Sequence, residues 1–360
     1  MLSQAGGSDY NNDFSVEPKR YTLYGCVKFV STFNKPYVYP GVQHKSYPLA
    51  MESKDSTDLA SHNMPTVTTY TQDISICSQI CRLAVHEHGL GPSCTHKHVD
   101  IECRMENYEP WYIRIQPKMT VPAMQYDDTV VGDSREILYF LAERHPGLGL
   151  YPSELRPAID AFIDGFYSRF GLIGAFTFGH LLQDAPSPPG NDPALTDFIR
   201  RGKIDRTREQ LRKSIAEAPD VAELAQKKLA QKSAFDMVAW AGRQDCAALC
   251  DKMGEVLAQM EKSLADQSLA DQPPSCLLGE SYTLADVVAT IFCSRINFIK
   301  GPALFGPHTV QYFQRMQARP SYEEAHIVSS WAESLMAKQL AAAKEGADPL
   351  AIGVGWPDNS

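Results

Sequence analysis

From residue 66 onward, short β-branched runs alternate with stretches of helical periodicity. Thr66-Val67-Thr68-Thr69-Tyr70 is rich in β-branched and aromatic residues and reads as a strand. Ile76 to Gly89 reads as a helix: Ile80, Leu83 and Ala84 fall at helical spacing, and Gly89 suits a C-terminal stop. Lys97-His98-Val99-Asp100-Ile101 reads as a parallel strand. Met119 to Tyr126 and Thr129 to Val131 read as a hairpin across the short acidic turn Asp127-Asp128. A helix from Arg135 to Arg144 follows and ends at His145-Pro146. A βαβ half followed by ββα is the wiring this order predicts, with a right-handed crossover.

Beyond His145 the pattern is helical. Phe162, Phe166, Phe170, Leu172 and Phe176 give a strongly apolar helix. Ser187-Pro188-Pro189-Gly190-Asn191-Asp192-Pro193 breaks it and reads as a loop. Residues 203–265 read as long amphipathic helices rich in Glu, Lys, Gln and Ala, expected to be paired and more exposed. The helix Leu284–Phe298 is mostly apolar and expected to be central. Thr283-Leu284-Ala285-Asp286 opens it as a capping box. Thr283 is expected to accept from the Asp286 N–H, and Asp286 to reach back to the Thr283 N–H, with Tyr282 and Val287 as the staple. This box serves structure, not chemistry.

The resulting division is an N-terminal extension over 1–65, partly disordered, an α/β domain over 66–148, an all-helical domain over 155–340 and a flexible tail over 341–360. The extension holds many aromatics, among them Tyr10, Phe14, Tyr21, Phe29 and Tyr39, and part of it is expected to lie against a domain surface or a partner. Asp9 and Asp13 precede any basic residue, which argues against a mitochondrial presequence. A net charge of −9 argues against a general nucleic-acid binder. No run approaches the roughly 18 apolar residues that cross a bilayer. Nine cysteines, an odd number spread over the chain, suit a reducing compartment, and a cytoplasmic location is expected.

The chemistry concentrates at Ser75-Ile76-Cys77-Ser78, where strand turns into helix. A cysteine at a helix start meets backbone N–H groups and the positive end of the helix dipole, which favour the reactive thiolate. His86, His88, His96 and His98, with Cys94 and Cys103, gather polar ligand types, but their spacing matches no standard zinc pattern, and no metal site is assigned.

Several motifs in order carry a family resemblance: Ser75-Ile76-Cys77-Ser78, Val99-Asp100-Ile101, Glu106-Asn107-Tyr108-Glu109-Pro110, Val121-Pro122, Thr177-Phe178-Gly179-His180 and Tyr312 to Arg319. From about residue 66 to about 335 the chain resembles the soluble glutathione transferases, and within them the tetrachlorohydroquinone reductive dehalogenases beside the zeta class. The resemblance implies a thioredoxin-like N-terminal domain, an all-α C-terminal domain, glutathione as co-substrate, a small electrophile as second substrate and a homodimer. It implies that Val121, before Pro122, pairs with the cysteinyl backbone of glutathione. Ser134 and the helix N–H groups would bind the γ-glutamyl carboxylate, Asp133 the ammonium and Lys118 the glycyl carboxylate. Ser75 would activate the glutathione sulfur, Cys77 would resolve a glutathionyl adduct, and His180 would face the electrophile. Asp133 departs from the Asn, Glu or Gln that relatives often carry. Reductive dehalogenation of a quinone-like or aromatic electrophile is the expected chemistry.

Two rivals remain at this point. A maleylacetoacetate-type isomerase also has Ser-x-Cys, usually followed by an arginine pattern that Gln79-Ile80-Cys81 lacks. A non-catalytic adaptor similar to the ganglioside-induced differentiation-associated proteins fits the lengthened helices at 203–265. That family carries a C-terminal membrane anchor, of which the residues after Ala342 give no sign.

Overall fold

The computed structural model describes residues 64–169, 171–174, 193–233, 246–267, 275–300, 304–329 and 333–347. All of them belong to one unit, residues 48–360. Strand β1 (Val67–Thr71) leads into helix α1 (Ile76–Glu87), then β2 (Cys94–His98), α2 (Pro110–Ile115), β3 (Ala123–Tyr126), β4 (Thr129–Gly132) and α3 (Ser134–Arg144). The sheet order is β2-β1-β3-β4. β1 and β2 are parallel with Val67 opposite Cys94, β3 is antiparallel to β1 with Tyr70 opposite Ala123, and β4 closes a hairpin on β3.

The strand period of two sorts side chains between the faces. Val67, Met124 and Val131 pack with Ile80, Leu83, Ile137 and Leu141 of α1 and α3. Tyr70 and Ala123 face the other way, onto Tyr112 of α2 and Val99. This mixed sheet with helices on both faces is the thioredoxin-like domain.

Two strand boundaries differ from the sequence reading. β2 lies upstream of the expected Lys97–Ile101. The Asp100 carboxylate accepts the N–H groups of Glu102 at 2.9 Å and Cys103 at 2.7 Å, a local turn that ends pairing at His98. β3 starts at Ala123 rather than Met119, because Met119 is left-handed at φ 56° and Pro122 has no N–H for a ladder.

The helical domain comprises α4 (Arg156–Ser168), α5 (Pro193–Glu217), α6 (Ala222–Ser233), α7 (Cys246–Gln267), α8 (Leu284–Lys300), α9 (Pro307–Gln317), α10 (Pro320–Glu324) and α11 (Leu335–Lys344). α8 is central as expected: Leu284, Ala285, Val287, Val288, Ala289, Ile291 and Cys293 are all fully buried. Its capping box is richer than the sequence reading. Asp286 accepts from the Thr283 N–H at 2.8 Å, the Leu277 N–H at 2.7 Å and the Tyr312 hydroxyl at 3.0 Å. The Thr283 hydroxyl donates to Asp286 instead of accepting its N–H.

α5 and α6 do pair, but they are not simply exposed. Leu211, Ala218, Val221 and Ala225 bury against Met105, Tyr108, Ile113 and Met119 of the thioredoxin-like domain. Arg114 pairs with Asp220 at 2.8 Å, and the Ser214 hydroxyl donates to the Tyr108 carbonyl at 2.6 Å.

Buried Arg82 joins the domains at the β1–α1 turn. It donates to the carbonyls of Gln72 and Asp73, both at 3.2 Å, and to those of Ala325 at 2.9 Å and His326 at 3.0 Å beyond α10. Phe170, Phe176, most of the Ser187–Pro193 loop, residues 1–63 and residues 348–360 lie outside the described residues. Among the described residues no helix is long and apolar enough to cross a membrane.

Candidate active site

The β1–α1 turn presents Ser75 as the N-cap of α1, its backbone extended and its hydroxyl accepting from the Ser78 N–H at 3.3 Å. Cys77 follows in the first turn, half-buried and packed against the main core. Its surroundings oppose the expected activation. Burial pushes the thiol up to about 12, while a hydrogen bond from the Ser134 hydroxyl and the nearby Arg295 guanidinium pull it down by less, and Asp133 adds to the rise. Desolvation therefore outweighs the pull of Ser134 and Arg295.

Ser134 is almost fully buried in the first turn of α3, with its Oγ 2.6 Å from the Tyr167 hydroxyl on α4. It bridges Cys77 to Tyr167. Asp133, rather than Ser134, is the N-cap of α3, and its carboxylate accepts from the Arg135 N–H at 2.9 Å. Asp133 sits at φ 118°, a region that favours glycine and costs other residues about 1–3 kcal/mol.

The third segment is the loop before β3. The Val121–Pro122 peptide is cis. Among the described residues the Val121 N–H and C=O take no backbone partner, which leaves a short edge open. Asn107 Nδ2 donates to the Met119 carbonyl at 2.9 Å, and the Tyr112 hydroxyl donates to the Thr120 carbonyl at 2.7 Å, so the loop is braced from below. The Lys118 ammonium lies 3.5 Å from the Glu136 carboxylate in the first turn of α3. The Cys77–Ser134 contact and this ion pair thus bring Ser75, Cys77, Asp133, Ser134 and the Lys118–Pro122 loop into one neighbourhood. His180 lies outside the described residues.

Sequence reasoning missed Tyr167 and Arg295. Arg295 projects from α8 and donates through Nη2 to the carbonyl of Ile74, the residue before Ser75. Burial lowers its pKa to about 10, with Cys77 and Asp73 opposing. The available signal was one charge inside the mostly apolar run Ile291 to Ile296. Phe166, next to Tyr167, lines a cavity of 210 Å³ with Met253, Met260 and Phe292.

The histidine cluster resolves into a hydrogen-bonded chain. His86 Nε2 meets His96 Nε2 at 3.2 Å, His86 Nδ1 lies 3.3 Å from Glu324, and His96 Nδ1 lies 2.6 Å from the Thr69 hydroxyl. Among the described residues no group of three or more His, Cys, Asp or Glu side chains could hold a metal ion.

The family described as glutathione S-transferase, N-terminal domain, matches residues 74–144, the span that holds Ser75, Cys77, the Lys118–Pro122 loop, Asp133 and Ser134. The chain is 31% identical over 273 residues to the tetrachloro-p-hydroquinone reductive dehalogenase of Sphingobium chlorophenolicum, covering 74% of this chain and 98% of that protein. It is 25% identical over 281 residues to the ganglioside-induced differentiation-associated protein 1-like 1 of Homo sapiens, covering 71% of each. Among solved structures it is similar to the theta class glutathione S-transferase from Xanthomonas axonopodis pv. citri, with a TM-score of 0.49 and 19% identity over 73% of this chain and 98% of that one. Near-complete coverage of the dehalogenase at this identity, on a thioredoxin-like domain followed by helices, means that the chain belongs to the glutathione S-transferase superfamily.

Proposed function

We propose that the protein is a glutathione-dependent transferase of reductive type, a dehalogenase-like enzyme acting on quinone-like or aromatic electrophiles. Glutathione is its co-substrate. The observation that carries the reading is the placement of Cys77 beside Ser134, two residues after the Ser75 cap in the first turn of α1. The open Val121 edge pairs with the cysteinyl backbone of glutathione. Ser134 and the N–H groups of α3 take the γ-glutamyl carboxylate, and Asp133 its ammonium. Lys118 takes the glycyl carboxylate. Its ion pair with Glu136 is exposed, so exchange costs little. His180 belongs to the electrophile side in the same reading, and the enzyme works as a cytoplasmic homodimer.

Ser75 donates a hydrogen bond to the glutathione thiolate, which adds to the electrophile and expels halide. The Cys77 thiolate then attacks the glutathione sulfur of the adduct. The carbon–sulfur bond breaks, its electron pair goes to the organic fragment, and that fragment takes a proton. Cys77 is left disulfide-linked to glutathione. A second glutathione attacks this disulfide, frees Cys77 and leaves as glutathione disulfide. Two glutathione thiols thus supply the two electrons that replace halogen by hydrogen.

The test is turnover with glutathione on a panel of halogenated hydroquinones, maleyl diketo acids and mixed disulfides. Halogenated hydroquinones should release halide and glutathione disulfide together, and Ser75→Ala should slow the first step by about 100-fold, the scale of one lost donor to a developing anion. Turnover confined to maleyl diketo acids, without glutathione disulfide, would make the protein an isomerase instead.

A further inference from the structure

Arg295 brings a charge from the helical domain to the Ser75–Cys77 turn. Its Nη2 donates to the Ile74 carbonyl, and its guanidinium lies 5.5 Å from the centre of the Phe298 ring. A guanidinium has five donors, and among the described residues this carbonyl is the one hydrogen-bond acceptor Arg295 meets. Asp73, the acid whose charge it feels, is occupied by Gln72 Nε2 at 2.7 Å and the Leu335 N–H at 2.6 Å. The Ser134 hydroxyl, itself paired with the Tyr167 hydroxyl, also reaches Cys77. The Ser75–Cys77 turn thus has near it both a pair of hydroxyls and a cation with further donors.

The reductive step asks for such a cation. When the Cys77 thiolate attacks the glutathione sulfur of an adduct, an electron pair is left on carbon. A bare carbanion is a very poor leaving group. With a carbonyl on the neighbouring carbon, the pair moves onto oxygen as an enolate, or as a phenolate when a ring regains aromaticity. Charge then grows on one oxygen as the disulfide forms, and a preorganised donor aimed at that oxygen lowers the barrier. The planar fork of arginine suits an oxyanion.

We propose that Arg295 is the oxyanion anchor of the electrophile site, and that the adducts resolved at Cys77 carry a carbonyl or ring oxygen on the carbon next to the carbon–sulfur bond. This rests on the reductive reading above. The balance is that of an α-thio ketone. The Cys77 thiolate and the adduct become the Cys77–glutathione disulfide and an enolate. The enolate takes one proton from solvent to give the ketone, and the two sulfurs are oxidised by the two electrons that the carbon gains. A second glutathione restores Cys77 as before.

Two readouts test the anchor. The first compares S-phenacylglutathione, whose cleavage makes an enolate, with the mixed disulfide of glutathione and 2-mercaptoethanol, whose cleavage does not. Arg295→Gln should lower the ratio of the first rate to the second by about 100-fold, the cost of losing an oxyanion donor, and Arg295→Lys should lower it less. An unchanged ratio overturns the proposal. The second is calorimetric binding without turnover. Wild-type protein should bind ionised 4-nitrophenol at least about tenfold more tightly than 4-nitroanisole, a difference of about 1.4 kcal/mol, and in Arg295→Gln the preference should vanish. Equal affinity for the two in the wild type overturns the anchor even if no variant folds. If the wild type cleaves neither thiol adduct, the reductive reading falls, while the calorimetry still decides whether Arg295 holds an oxyanion.

Discussion

At Cys77 burial outweighs the Ser134 hydrogen bond and the Arg295 charge and pushes the thiol up to about 12. Only the thiolate is nucleophilic, so in the free protein reactivity should follow a small thiolate fraction. Below the pKa that fraction grows tenfold with each pH unit. Alkylation of Cys77 by iodoacetamide, read by peptide mass spectrometry, should therefore rise about tenfold per unit from pH 7 to pH 10 without levelling. A plateau below pH 9 would mean that the helix start and Arg295 win. The residues legible in the sequence share one property. Ser75, Cys77, Val121, Pro122, Asp133 and Ser134 sit in short contiguous motifs at turns, the kind of segment on which the family resemblance rests. Tyr167 and Arg295 arrive from helices far along the chain, each inside an apolar run, and only tertiary packing brings them to the sulfur. The direction of the Cys77 shift was illegible for the same reason, since desolvation comes from residues that a local motif does not include.

At the scale of elements, the Asp286 box shows how a local signal can understate a role. The sequence predicts a cap for one helix. In the fold, the same carboxylate also ties the Leu277 N–H and the Tyr312 hydroxyl, so it holds α8, α9 and the turn before α8 together in a fully buried place. Asp286→Ala should cost about 3–5 kcal/mol in urea unfolding, as when one partner of a buried charged network is removed. A loss below about 1 kcal/mol would show that the box acts as an ordinary exposed cap. The strand β2 failed in the opposite sense. Val99 and Ile101 gave the apolar alternation of a strand, but the Asp100 side chain turned the backbone first. Side-chain competition of this kind is hard to weigh against β propensity without the neighbouring N–H groups in view.

At the scale of the whole molecule, the α5–α6 pair is the main departure from the sequence reading. Its Glu, Lys, Gln and Ala content suggests a solvated hairpin, yet its few apolar residues and small alanines form a second core with the α2 region beneath the Lys118–Pro122 loop. The order of elements was legible because hydrophobic period and turn residues are local. The docking of this pair was not, because alanines read alike on a solvated face and at a close helix contact. Among the described residues β1 pairs with β2 on one side and β3 on the other, so both of its edges are taken. A chain beginning at Asn63 should remain folded and bind glutathione in calorimetry; aggregation would make the aromatic N-terminal segment part of the core. The central claim, that Cys77 resolves a glutathionyl adduct, is tested most directly by mass spectrometry of the enzyme quenched during turnover of a halogenated hydroquinone. The Cys77 peptide should carry one glutathione in disulfide linkage, and Cys77→Ser should accumulate the organic adduct without releasing reduced product. Wild-type rates of product release from Cys77→Ser, with no glutathione on the Cys77 peptide of the parent enzyme, would contradict the account.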